Sequence, residues 1–173
     1  QVVDAIVDYY TRLGACGGRS VHKLATEVSI KYEEGRERHR RFLNANDHRE
    51  IIFLRNTTEG INLVSQCLDL KKGDIVVTTD REHNSNLVPW LRLRDTNGIV
   101  HVPFKSNDDN TFNLEKFSEF MSRKVKLVSM AHTGNLDGVT IPAAEIIKIA
   151  HDHGALVMLD GAQSVPHRHV DVK

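Results

Sequence analysis

The feature that most constrains this chain is the change of hydrophobic period after Asn44-Ala45-Asn46-Asp47. From there, short apolar runs at 51–54, 75–79, 99–104, 126–131 and 155–159 alternate with stretches of helical period at about 58–70, 87–94, 114–121 and 143–153. Strands spaced by helices imply βαβ units, and these build a three-layer α/β domain: a mostly parallel sheet with helices on both faces. Lys71-Lys72-Gly73-Asp74 and His153-Gly154 mark helix ends that run directly into strands. The last run, Ala155-Leu156-Val157-Met158-Leu159, is apolar without a break and ends on Asp160. It has the pattern of a buried parallel strand. Ligands of open α/β sheets collect outside the carboxyl ends of the strands, and Asp160 stands at such an end.

The first 46 residues follow a different pattern. Val2, Val3, Ile6, Val7 and Tyr10 take helical spacing, and Gly14, Gly17 and Gly18 stop that helix. Ser20 is the expected cap of a second helix carrying Val21, Leu24, Val28 and Tyr32. Its half from 31 to 41 is mostly charged, either a basic patch for nucleic acid or a solvated helix face, and the interspersed glutamates favour the solvated face. With no linker or repeat in view, residues 1–46 are expected as a helical segment packing on the same domain as residues 47–173. Lysine plus arginine balances aspartate plus glutamate at 23 each, so no overall field draws the chain to nucleic acid or an anionic membrane. No apolar run reaches the roughly 18 residues that span a bilayer. The two cysteines, Cys16 and Cys67, have no CxxC spacing, which suits a reducing cytoplasm. The start at Gln1 and the end at Lys173 suggest a piece of a longer chain.

Several polar clusters follow the apolar runs. Arg55-Asn56-Thr57-Thr58-Glu59-Gly60 leads straight into a helix carrying Ile61, Leu63, Val64 and Leu68. Open N–H groups at a helix start, with the hydroxyls of Thr57 and Thr58 beside them, suit a phosphate; a plain threonine cap is the alternative. The dipole of an exposed helix start adds only roughly 0.3–1 kcal/mol, so hydrogen bonds have to supply most of the affinity. His83, in Asp80-Arg81-Glu82-His83-Asn84-Ser85-Asn86, can stack on a planar ring, shuttle a proton, or simply bond local backbone. Asn135 can bond a ligand oxygen. Asp160 can hold a cationic ring nitrogen, with Gln163 on another edge of the same ligand; alternatively it caps the next turn or pairs with a basic residue. Four of the five runs thus deliver polar side chains to one edge of the sheet. Among the ten histidines, neither His151-x-His153 nor His167-x-His169 has an acidic or cysteine partner at ligand spacing, so no metal is expected. No GxSxG or HExxH occurs.

The order of four motifs carries a resemblance: Arg55-Asn56-Thr57-Thr58-Glu59-Gly60-Ile61-Asn62, Glu82-His83-Asn84-Ser85-Asn86-Leu87-Val88-Pro89-Trp90, His132-Thr133-Gly134-Asn135-Leu136-Asp137-Gly138 and Asp160-Gly161-Ala162-Gln163-Ser164. Together they resemble the class V pyridoxal-phosphate aminotransferase superfamily, in its SufS-like branch of cysteine desulfurases and selenocysteine lyases. The resemblance implies the large domain of a fold type I enzyme, incomplete here, with pyridoxal 5'-phosphate as cofactor. It implies Thr57 and Thr58 on the phosphate, and His83 stacked on the ring as the catalytic residue within this stretch. Asn135 would lie near the ring hydroxyl, Asp160 on the ring nitrogen and Gln163 on the ring hydroxyl.

The family's Schiff-base lysine lies in a Ser-x-His-Lys stretch, and none occurs in these 173 residues. Lys173 follows Asp160 too closely, and Cys16 and Cys67 do not match the sulfur-accepting cysteine. The expectation is therefore a fragment, inactive by itself, of a homodimeric enzyme. That enzyme would take L-cysteine or a related amino acid and pass sulfur to an acceptor protein for iron–sulfur cluster assembly. Selenocysteine lyase, aminotransferase or kynureninase-like chemistry, or a non-catalytic binding or dimerising module, are the alternatives.

Overall fold

The computed structural model describes residues 1–122 and 124–173. They form two compact units, residues 1–53 with 170–173, and residues 54–169.

In the first unit, α1 (Val2–Asp8) continues into a π-helical turn, Tyr9–Leu13, and α2 (Lys23–Leu43) follows. Ser20 does not cap α2. His22 does, its Nδ1 accepting the Ala25 N–H at 3.4 Å, and Val21 is left outside the helix and almost wholly exposed. The helix ends on Asn44 in the left-handed region, φ 57°, where asparagine is among the few residues tolerated. Along the charged half, Glu37 accepts from both Arg40 (2.7 Å) and Arg41 (2.8 Å), which holds its carboxyl at about 2. These charges pair along their own helix, as a solvated face does. The chain's last residues return to the end of α2, with Val172 N–H donating to the Leu43 carbonyl and Asn44 Nδ2 to Asp171 Oδ2.

The second unit contains α3 (Thr57–Cys67), β1 (Ile75–Thr79), α4 (Asn84–Asn97), β2 (Val100–Phe104), α5 (Leu114–Phe120), β3 (Val125–Ala131), α6 (Ala143–Asp152) and β4 (Leu156–Asp160). The four strands are all parallel in the order β2-β1-β3-β4. Alternate residues face opposite layers. On one face Val76, Leu127, Ile61 of α3 and Trp90 of α4 form one core; on the other, Val77, Val128, Phe117 of α5 and Ile146 of α6 form a second. A bulge puts Val76 opposite Leu127 where Ile75 faces Val125, so Val125 keeps to the second core. The expected three-layer α/β sheet is present.

One expected strand is not. Residues 51–54 join no ladder among the described residues, and Ile52, Phe53 and Leu54 remain exposed. A strand needs a neighbour to take its N–H and C=O groups, and a four-residue apolar run cannot show whether one exists. Thr57 and Thr58 are therefore delivered by an unpaired segment rather than by a sheet strand.

The strand order decides where a site can form. The chain leaves β1 toward β2 on one side and leaves β3 toward β4 on the other. The crevice outside the carboxyl ends of β1 and β3 is therefore the topological switch point.

Candidate active site

At that switch point lies a cavity of about 250 Å3, lined in part by Thr57, Thr58, His83, Asn135, Asp160 and Gln163. All six positions singled out in the sequence converge on it. The volume is a little under the roughly 300–1,000 Å3 of drug-sized ligand sites, which suits one small ring with a charged substituent.

Its walls are built from four chain segments. Asn56, not a threonine, caps α3, its Oδ1 accepting the Glu59 N–H at 2.9 Å. Glu59 turns back to accept the Arg55 N–H at 2.8 Å, and its carboxylate pairs with the Arg55 guanidinium, which holds the carboxyl below its ordinary range. With these groups occupied elsewhere, the first-turn N–H groups of Thr57 and Thr58 keep the openness of any helix start. Both residues line the cavity, which puts a helix start and two hydroxyl side chains at one wall, as an anion site requires.

After β1, Glu82 anchors the loop that presents His83. Oε1 accepts from the Thr79 hydroxyl and the Thr79 N–H, Oε2 from Asn86 Nδ2 at 2.7 Å, and the Ala131 N–H of β3 reaches both oxygens. Burial pushes this carboxyl above its ordinary range, against the pull of those donors. Asn86 is fully buried, its Oδ1 accepting from Ser129 Oγ (2.6 Å) and Trp90 Nε1 (3.3 Å). β1, α4 and β3 are thereby pinned together under His83, which caps α4 by accepting the Ser85 N–H at Nδ1, 3.1 Å. This network was not read from the sequence. Part of the signal was available, since Asn86 and Trp90 stand four residues apart on one face of α4, and Glu82 stands four residues before Asn86 in the loop ahead of it.

The loop after β3 carries Asn135. Gly134 in that loop admits no side chain, because a Cβ there would sit 2.5 Å from Asp137 Oδ1. Asp137 in turn accepts the Val139 N–H and pairs with Arg81.

Asp160 ends β4 and is 7% exposed. Its Oδ1 accepts the Ala162 N–H at 2.9 Å, so it does cap the following turn. It has no basic partner, and no donor among the described residues reaches Oδ2. The cavity therefore offers an open helix start, an imidazole and a half-satisfied carboxylate, a set that fits a small ring bearing both an anionic and a cationic group. Among the described residues no cluster of three His, Cys, Asp or Glu side chains could hold a metal, and no helix is long and apolar enough to cross a membrane.

The family model for aminotransferase class-V matches residues 1–173. The chain belongs to that family. Among class V relatives, a probable cysteine desulfurase of Halalkalibacterium halodurans is 40% identical over 175 residues, covering 99% of this chain and 43% of that protein. A cysteine desulfurase of Haloferax volcanii is 38% identical over 177 residues, covering 100% and 42%. The apo structure of a cysteine desulfurase from Thermococcus onnurineus superposes with a TM-score of 0.93 at 38% identity, over 99% of this chain and 43% of that one. This class V chain thus spans under half the length of the relatives it matches.

Proposed function

We propose that this chain forms the phosphate- and ring-binding part of a pyridoxal 5'-phosphate site in an enzyme that removes sulfur from L-cysteine. Asp160 carries the proposal: a carboxylate only 7% exposed whose Oδ2 accepts no hydrogen bond from the described residues, on the wall of a cavity that the start of α3 also lines. Asp160 Oδ2 would accept from the protonated ring nitrogen. Thr57 and Thr58 would hold the phosphate through their hydroxyls and N–H groups. His83 would lie against the ring, while Asn135 and Gln163 would bond its polar edge. Bound there, the cofactor supplies an electron sink for a substrate carbanion. The names of the desulfurase relatives support cysteine as the substrate; transfer of the sulfur to an acceptor protein for iron–sulfur cluster assembly is part of the proposal. The proposed enzyme is a homodimer working in the cytoplasm, with the cofactor-bearing lysine and the sulfur-accepting cysteine supplied from outside these 173 residues.

Titration of the purified chain with pyridoxal phosphate, followed by quenching of Trp90, tests the site. Asp160→Ala is expected to weaken non-covalent binding about a hundredfold or more, since stranding one member of a buried charge pair costs about 3–5 kcal/mol. Equal affinity for both proteins would overturn the assignment.

A further inference from the structure

We propose that Ser85 is a positioning residue: its backbone N–H holds the His83 proton on Nε2, while its hydroxyl links Thr58 to His83 and transmits anion binding at Thr58 to the imidazole. The proposal rests on the reading of the α3 start as a phosphate site.

Ser85 Oγ lies 3.0 Å from Thr58 Oγ1 and 2.7 Å from His83 Nδ1, while the Ser85 N–H lies 3.1 Å from the same Nδ1. A backbone N–H can only donate. Nδ1 must therefore offer its lone pair, and the proton of the neutral ring sits on Nε2. With Nδ1 an acceptor, the Ser85 hydroxyl donates to it as well. The Ser85 oxygen is then free to accept from the Thr58 hydroxyl. Three groups, each on the cavity wall, thus form one chain with a single direction, Thr58 to Ser85 to His83.

An anion at the start of α3 reverses that direction. To bond it, Thr58 must turn its hydroxyl proton away from Ser85. Its oxygen then becomes an acceptor, and the Ser85 hydroxyl swings from His83 to Thr58. Nδ1 keeps only the Ser85 N–H. Nε2, on the opposite side of the ring, keeps its proton throughout, so His83 meets a ligand in the cavity as a hydrogen-bond donor. No bond other than hydrogen bonds changes, and no proton leaves the three residues.

Nitrogen NMR of the full chain labelled uniformly with 15N tests this, using inorganic phosphate as the probe, a His83→Ala variant to assign the ring signal and a Thr58→Val variant to assign the Thr58 N–H. At a pH where the imidazole is neutral, the free protein should show Nε2 protonated and Nδ1 as a hydrogen-bonded acceptor. Phosphate should move Nδ1 toward the position of a less bonded acceptor while shifting the Thr58 backbone N–H. Ser85→Ala should show the less bonded Nδ1 from the start and no phosphate response at His83, and Ser85→Thr should restore both. Thr58→Val, which breaks the link from the other side, should freeze Nδ1 at its free-protein position. A proton on Nδ1, or a Ser85→Ala protein whose Nδ1 still responds as wild type does, overturns the proposal. Phosphate that shifts Thr58 but leaves Nδ1 unmoved overturns the proposal alone. Phosphate that leaves Thr58 unmoved overturns the phosphate site, and the link with it.

Discussion

Replacing Asn86 by aspartate would turn the buried support of the site into a pH sensor of calculable steepness. In the native protein Asn86 Nδ2 donates to Glu82 Oε2 at 2.7 Å, while Oδ1 accepts from Ser129 and Trp90. Aspartate keeps both bonds on Oδ1 but sets an oxygen against the Glu82 oxygen. Asn86 is fully buried, so two carboxylates at that separation cannot both ionise, and the pair retains one proton at neutral pH. The unfolded chain releases that proton in the ordinary carboxylate range. The folded state then binds one proton more, so its carboxyl pKa is raised above the unfolded value and stability is lost as pH rises. The slope for one proton is about 1.4 kcal/mol per pH unit, so Asn86→Asp should lose about 2 kcal/mol relative to wild type between pH 6 and 7.5. Urea unfolding followed by fluorescence reports this directly, because Trp90 is the single tryptophan and is fully buried. An Asn86→Asp protein whose stability runs parallel to wild type across that interval would refute the Glu82–Asn86 contact.

Two further outcomes follow from packing. Gly134→Ala should destabilise the chain by about 1–3 kcal/mol in the same unfolding assay, because the added Cβ meets an Asp137 carboxylate already held by Arg81 and the Val139 N–H; a neutral effect would mean that the loop carrying Asn135 yields freely. Phe117→Ala should cost about 3–5 kcal/mol, since the ring is fully buried edge-on to Phe104 and Phe112. A loss below about 1 kcal/mol would contradict the core beneath α5.

The sheet was legible because its strands are apolar runs bounded by glycine turns or polar helix ends. β1 and β3 are buried as such runs predict, whereas the run 155–159, expected as a buried strand, is an outer strand among the described residues, with Leu156 56% exposed. The cavity was legible for a related reason: once the strands are parallel, polar residues after β1, β3 and β4 must share one edge. What escaped was tertiary. Residues 51–54 are as apolar as a strand, yet pairing depends on a neighbour that local sequence does not reveal. The start of α4 lay three residues earlier than the period suggested, because histidine is an uncommon cap and His83 gave no cap signal. His22 hid the start of α2 in the same way. The bonds from Glu82 and Asn86 to Thr79, Ala131 and Ser129 join segments up to 49 residues apart, and no local pattern encodes them. Ser85 stood inside a motif already marked for His83, but its link to Thr58 exists only once α3 and α4 pack side by side.

The most direct measurement is a crystal structure of this chain grown with pyridoxal phosphate. The account predicts the phosphate on the Thr57 and Thr58 N–H and hydroxyl groups, the ring against His83, and the ring nitrogen within hydrogen-bond distance of Asp160 Oδ2. A ligand bound elsewhere, or one with its phosphate at Asp160 and its ring nitrogen at α3, would contradict it.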